Sequence, residues 1–347
     1  MPVLKPEALA VNRVDAIKAF HKKVGVPKAE LDLSGGIDSA VMACLLKMAL
    51  GPENVILVHS RFSTNGEQTA RAVALAEALE IPLVNGDFSR VFGQVMSILL
   101  DGMQEAGLDM AAVSERCKAD PTIEGSIRSC LRAPIGRAAN RLFGGGIRHG
   151  TGNECEDRWL RFYQKGGDGE VDTNPLAMLS KTEVYQLAFV LGELFGGRVQ
   201  PILKATIDAT PSPDLWDVGD GHSDEAELKA WLGVPFTYGR IDSDTGAVTS
   251  IGTIERVSRF LELPYRKGII GDTRIEPYLF GDYKEPDWVH LERRAVSCGL
   301  FQGVPEAEAL LHAARRAERE TRHKANPNIP TLGTREALVD GGILTIT

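Results

Sequence analysis

Apolar residues recur at helical spacing through PEALAVNRVDAIKAFHKKVG, residues 6–25, and a short strand signal, AELDLS, follows at 29–34. From there the two periods alternate. A helix is expected over residues 38–50, a β-branched strand in NVILVHS (54–60), a helix in GEQTARAVALAEALEI (66–81) that ends near Pro82, and a strand in PLVNGD (82–87). Strand-helix-strand order of this kind calls for a parallel sheet with helices on both faces. The strand runs show little alternation, as expected of strands buried on both sides. The expected fold class is therefore α/β, a doubly wound, mostly parallel sheet.

Residues 88–143 read as mostly helical, and GGGIRHGTGNE (144–154) is a strand running into a loop. A helix is predicted over 181–195, with Ser180 as N-cap and Glu183 three residues later completing a capping box. Residues 208–253, rich in Gly, Asp, Ser and Pro, are expected to be a long irregular segment of the functional kind. An amphipathic helix closes the pattern at 305–323. The domain expectation is a main body over residues 1–265 and a mostly helical C-terminal extension over 266–347 packed on it.

The 347 residues are 43% hydrophobic and 25% charged, an ordinary globular balance. No apolar run is long enough to span a bilayer, and the N-terminus lacks the layout of a secretory signal. A formal charge of -8 argues against broad nucleic-acid binding. Five cysteines without a C-x-x-C pair exclude a zinc ribbon and fit a reducing, cytoplasmic setting.

Chemistry enters at Ser34-Gly35-Gly36-Ile37-Asp38-Ser39, placed between a strand and a helix. Free backbone N–H groups and the positive helix end suit a phosphate there. The glycines let backbone and ligand approach, and Ser34 and Ser39 offer hydroxyls. Asp38 would repel a bare phosphate, so it calls for a Mg²⁺ between them. No Walker lysine follows, and no G-x-G-x-x-G is present, which sets aside P-loop and dinucleotide-binding readings. A tight turn capped by Ser and Asp is the plainer alternative.

This hexapeptide resembles the loop of the PP-loop ATP pyrophosphatases, which cleave ATP between its α and β phosphates. The stretch 150–188 is similar to the second signature of the NAD synthetase family within that group, at Thr151, Glu156, Lys165, Asp168, Asp172, Pro175 and Lys181. A third piece, TPSPDLWDVGDGHSDEAEL, matches at Ser212, Asp214 and Leu215 and then at Asp224, Glu225 and Glu227, whose acidic run an ordinary helix N-terminus also explains. RHKANPNIP at 322–330 resembles a fourth, including Lys324. The chain departs from the pattern in several places: Asp32 stands where glycine is usual, one extra residue lies between Glu156 and Lys165, the region from 200 to 260 is expanded, Ala325 rather than arginine follows His323-Lys324, and Arg128 and Arg132 match the arginine helix only loosely.

The resemblance implies an adenine nucleotide alpha hydrolase-like, Rossmann-like fold and an ammonia-dependent ligase. A nicotinate carboxylate of deamido-NAD attacks the α-phosphorus of ATP, and ammonia then displaces AMP to leave an amide. It implies Mg²⁺ on Asp38 and Glu156, and phosphates or nucleotide near Ser34, Gly35, Gly36, Ser39, Thr151, Asp168 and Ser212. Charge on the phosphates would be offset by Lys165, Lys181 and Lys324. The stretch before Ala29 is too short for a glutaminase domain, so free ammonia or a separate donor protein is expected, and the family suggests a homodimer. No nucleic acid or membrane partner is expected. Three alternatives stay open: a PP-loop ligase acting on another carboxylate, a PP-loop sulfur transferase using Cys130 or Cys155, and a non-catalytic nucleotide sensor.

Overall fold

A computed structural model describes residues 3, 5–62, 66–120, 122–212, 223–262, 293, 295–297, 299–324 and 331–345. Its centre is a four-stranded parallel sheet of β1 (Ala29–Asp32), β2 (Val55–Arg61), β3 (Leu83–Asp87) and β4 (Ile147–His149), in the order β3-β2-β1-β4. Helices α1 (Pro6–Val24), α2 (Ile37–Leu50), α3 (Gly66–Leu79), α4 (Ser89–Glu105), α5 (Met110–Ala119) and α6 (Thr122–Leu142) supply the N-terminal part and the crossovers. The chain leaves β1 toward β2 and β3, then returns to the far side of β1 as β4. That reversal opens a crevice at the carboxyl ends of β1 and β4, where ligands bind in open α/β sheets.

The alternation within β1 explains an unusual residue. Ala29 and Leu31 point into an apolar core shared with α1, α2 and α3, while Glu30 and Asp32 point to the other face. Register places Glu30 beside Arg148 of β4. Arg148 donates to both Glu30 oxygens at 2.7 and 2.8 Å and pairs with Asp32. Asp32 is therefore one arm of a buried charge cluster, where a glycine would leave Arg148 one partner short. The expectation of strands buried on both faces holds for β2 down to Ser60, whereas β3 is an edge strand and half-exposed.

Helix α7 (Lys181–Phe195) begins and ends where the sequence predicts, with the capping box formed: Ser180 N–H donates to Glu183 Oε2 at 2.8 Å. Like α2, it is buried almost all round, as an apolar helix in a large core must be. It is followed by α8 (Val199–Asp208), α9 (Asp224–Leu232), a hairpin of β5 (Arg240–Ile241) and β6 (Val248–Ser250), α10 (Thr253–Glu262), α11 (Val304–Thr321) and α12 (Arg335–Asp340). The segment expected to be irregular thus holds a helix and a hairpin. Ser223 caps α9 and Gly233 closes it in a left-handed turn, local signals that its Gly and Asp content obscured.

A second apolar core joins Cys155, Trp159 and Leu160 to α9, Phe236, α10 and α11. The expected domain boundary near 265 lies outside the described residues, as do Asp214, Leu215 and residues 325–330. Among the described residues no helix is long and apolar enough to cross a membrane.

Candidate active site

The loop between β1 and α2 forms the floor of a cleft, and its two glycines serve different ends. Gly35 has φ +86°, and a Cβ there would stand 2.2 Å from the Gln68 carbonyl oxygen, so its close neighbour is the first turn of α3 rather than a ligand. Gly36 is the N-cap of α2 with φ -89°, and a Cβ there would meet only Ser34 Oγ, at 3.3 Å. Gly36 is the glycine that keeps the cleft open. Ser39 Oγ accepts from Ser34 N–H at 3.2 Å, bonds to Ser34 Oγ at 3.0 Å and donates to the Gly36 carbonyl at 3.0 Å, which fixes the loop's curl. No side chain caps α2. Its first N–H groups have no partner within the helix and its positive end faces the cleft, a ready anion site.

Opposite the loop, Lys181 reaches across as the first residue of α7. Its ammonium donates to Asp38 Oδ2 at 2.6 Å and to Glu156 Oε1 at 2.8 Å. Asn153 donates to Asp38 Oδ1 at 3.1 Å, and its side-chain oxygen accepts from the Glu156 N–H at 3.3 Å. Tyr238 is buried against the same group: its hydroxyl donates to Glu156 Oε1 at 3.5 Å, and the Lys181 ammonium lies 5.1 Å from its ring centroid. Glu156 opens a single π-helical turn, Glu156–Leu160. Single turns of this kind occur frequently at functional sites.

The electrostatics follow from crowding. Burial raises the Glu156 carboxyl, with Lys181 opposing and Asp38 adding to the rise. Burial also lifts Asp224, the first residue of α9, to about 7, with Lys181 opposing and Glu156 and Asp38 adding. Lys181 is held well above its ordinary value: the carboxylates of Asp38 and Glu156 outweigh the burial that would lower it. Three acids around one ammonium leave an excess of negative charge suited to a cation. Among the described residues no group of three or more His, Cys, Asp and Glu side chains could hold a metal. The two converging carboxylates of Asp38 and Glu156 still fit Mg²⁺, which commonly takes one or two carboxylates and completes its shell with substrate phosphate and water.

Ser34, Gly36, Asp38, Ser39, Thr151, Glu156, Asp168, Lys181 and Ser212 all line this one cleft. Asp168 is steered there by Ser129 Oγ (3.0 Å) and Gln164 N–H (2.8 Å). Lys165 and Lys324 do not line it, contrary to expectation. Lys165 donates to the His323 carbonyl at 3.1 Å, and Lys324 donates to the carbonyls of Arg161 and Tyr163 at 3.2 and 2.7 Å. Both ammonium groups tie the loop after the π turn to the end of α11. Asp172 and Pro175 serve the scaffold, accepting from Arg137 and Arg13.

The cleft also recruits residues that sequence reasoning passed over. His59 and Ser60 lie near the end of β2, and Gln68 and Arg71 come from α3. His59 Nδ1 is 2.7 Å from the Leu33 carbonyl, and Arg71 donates to the Gly35 carbonyl at 3.0 Å. For His59 and Ser60, position near the carboxyl end of β2 was the available signal; Gln68 and Arg71, on α3, carried none. Asp224 lines the cleft too, more than the helix-cap reading of its acidic run allowed. Arg132 also lines it, whereas Arg128 pairs with Glu124 at 2.8 Å. Cys155 is fully buried and burial holds its thiol well above the usual range, the reverse of what a sulfur-transfer nucleophile needs.

Comparison with known proteins gives this geometry a context. The NAD synthase family model matches residues 9–247. The NH(3)-dependent NAD(+) synthetase of Methanosarcina mazei is 34% identical over 223 residues, covering 63% of this chain and 76% of that protein. The protein of the same name from Methanococcoides burtonii is 31% identical over 254 residues, covering 72% and 83%. Among solved structures, an NMN synthetase from Francisella tularensis superposes with a TM-score of 0.58 at 20% identity, over 94% of this chain and 99% of that one, a likeness of fold.

Proposed function

The chain belongs to the NAD synthase family, and on that premise we propose that it is an ammonia-dependent ligase that converts deamido-NAD to NAD. ATP is the energy source, and AMP and pyrophosphate leave. The observation that carries the reading is the Lys181 ammonium held between Asp38 and Glu156, at the mouth of a glycine loop that opens a helix.

The loop amides of Gly36 and the start of α2, with the hydroxyls of Ser34 and Ser39, hold the departing pyrophosphate. Lys181 sits where charge grows as the α–β bond breaks, and a pre-placed cation there stabilises the transition state without reorganisation. Asp38 and Glu156 would hold Mg²⁺, which when bound neutralises phosphate oxygens. Thr151, Asp168 and Ser212 line the wall on which nucleotide and acceptor are oriented. No protein nucleophile takes part; rate comes from holding the acceptor carboxylate in line with the α-phosphorus and keeping water from the acyl-adenylate. Ammonia then attacks the acyl carbon, AMP leaves, and the amide nitrogen loses a proton to solvent.

Two further features belong to the proposal. Helix α4 has no buried residue and presents Val91, Ile98 and Leu99 at 41, 71 and 48% exposure, a face that supports a homodimer. The four described cysteines are free thiols, which supports a reducing, cytoplasmic location.

The test is product analysis of the purified protein with Mg-ATP and ammonium, offering deamido-NAD and, separately, nicotinate mononucleotide. NAD and AMP formed in equal amounts establish the reaction. Amidation of the mononucleotide alone would replace the acceptor but keep the chemistry, and no AMP with either acceptor would refute the proposal. Lys181→Met should lower AMP formation by about 10²–10³-fold, the usual cost of removing one such charge donor.

A further inference from the structure

Several buried polar contacts reach the site from residues beyond 247, where the match to the family model ends. Glu255 of α10 accepts from the backbone N–H and the hydroxyl of Thr182, at 3.2 and 2.7 Å, and from the Gly239 N–H. Arg335 of α12 grips Glu183 through both terminal nitrogens, at 2.7 and 2.6 Å, and donates to the Met178 carbonyl at 3.1 Å. Arg259 of α10 pairs with Glu154, and the neighbouring Ser258 hydroxyl accepts from the Trp159 indole at 2.9 Å. All of these side chains are buried.

Their targets are the neighbours of the two groups that meet over the glycine loop. Thr182 and Glu183 directly follow Lys181, Glu154 lies two residues before Glu156, and Trp159 lies within the π turn that Glu156 opens. We infer that the segment beyond residue 247 positions the site: Glu255 and Arg335 set the direction of Lys181, and Ser258 and Arg259 set that of Glu156. They are positioning residues and do not line the cleft.

The physical need is plain. Lys181 is the first residue of its helix, where fraying is greatest, and its ammonium rides on a flexible four-carbon stem. Two hydrogen bonds shorter than 3 Å survive there only if the first turn of α7 is fixed. The Glu183 carboxylate closes the capping box and receives Arg335 as well, so one group couples the helix start to α12. Arg335 holds that carboxylate far below its usual range, to about 2 despite burial, which marks a firmly paired group. A planar fork is required, since a lysine in its place could satisfy one oxygen at a time.

The inference rests on the assignment of Lys181 and Glu156 to the ATP site, and the experiment separates the two. Arg335→Lys and Thr182→Val are measured in the full chain, with the folded fraction followed by near-ultraviolet circular dichroism. Misplacement by a fraction of an ångström to 1 Å should lower kcat for AMP formation roughly 10–100-fold per folded molecule in Arg335→Lys, and less in Thr182→Val. KM for ATP should change less than about threefold, because a group acting only in the transition state is the one displaced. A purely structural role predicts unchanged kcat per folded molecule; finding that in both variants would overturn the inference. Lys181→Met with undiminished AMP formation would instead overturn the site assignment itself, whatever Arg335→Lys does.

Discussion

Adjacent glycines in one loop give a sharp pair of expectations. Gly35→Ala forces an alanine into φ +86° and drives its methyl to 2.2 Å from the Gln68 carbonyl oxygen, a backbone atom that α3 cannot easily move. The left-handed backbone costs about 1–2 kcal/mol. Overpacking adds about 1–3 kcal/mol, and the stiffer unfolded chain returns about 0.4–1 kcal/mol. The net is a destabilisation of roughly 1–5 kcal/mol. Gly36→Ala meets an allowed φ of -89° and one hydroxyl at 3.3 Å, which can rotate aside. Its effect on stability should lie within about 1 kcal/mol of zero. The new methyl, however, projects into the anion site and should raise KM for ATP or abolish turnover. Urea unfolding of both variants reads the first quantity, and AMP formation reads the second. Equal destabilisation by the two substitutions, or a Gly36→Ala enzyme with wild-type KM and kcat, would refute the division of labour between these glycines.

Arg148→Met should destabilise the fold by about 3–5 kcal/mol, because it leaves Glu30 buried without its partner; burial already pushes Glu30 up to about 7 with Arg148 in place. Urea midpoints at pH 5 and pH 8 check this, with the larger loss at pH 8, where Glu30 must ionise. Glu183 is depressed from 4.5 to about 2, so its contribution is present above pH 4.5 and is lost as the pH falls toward 2. That amounts to roughly 3 kcal/mol, and Glu183→Gln should flatten the acid limb of the stability curve. Asp224 is raised from 3.8 to about 7, so it costs stability progressively as the pH rises from 3.8 to 7. Asp224→Asn should therefore raise the urea midpoint at pH 8 while leaving it nearly unchanged at pH 3.5; a midpoint unaltered at pH 8 would contradict that environment.

Much of the fold was legible because its signals are local. The strand-loop-helix around Gly35 and Gly36, the order of the first crossovers and both ends of α7 follow from period, glycine placement and a Ser-x-x-Glu cap. Residues 224–232 were obscured because a helix so short owes its stability to packing against the second core rather than to propensity. Cleft membership was legible at several positions a motif marked, such as Asp38 and Lys181. It failed for Lys165 and Lys324, since nothing in a lysine's neighbours along the chain says which carbonyl or phosphate its ammonium will reach.

The sequence by itself determined the parallel α/β order, the glycine loop between strand and helix, and the set of acids and lysines from which the site is built. Tertiary structure decided which members of that set meet. It brought Lys181 to Asp38 across 143 positions, Arg148 to Glu30 across 118 and Arg335 to Glu183 across 152. The reason is physical: a cap or a turn is fixed by hydrogen bonds within a few residues, whereas a buried charge must find its partner wherever the packed helices and sheet bring one within reach.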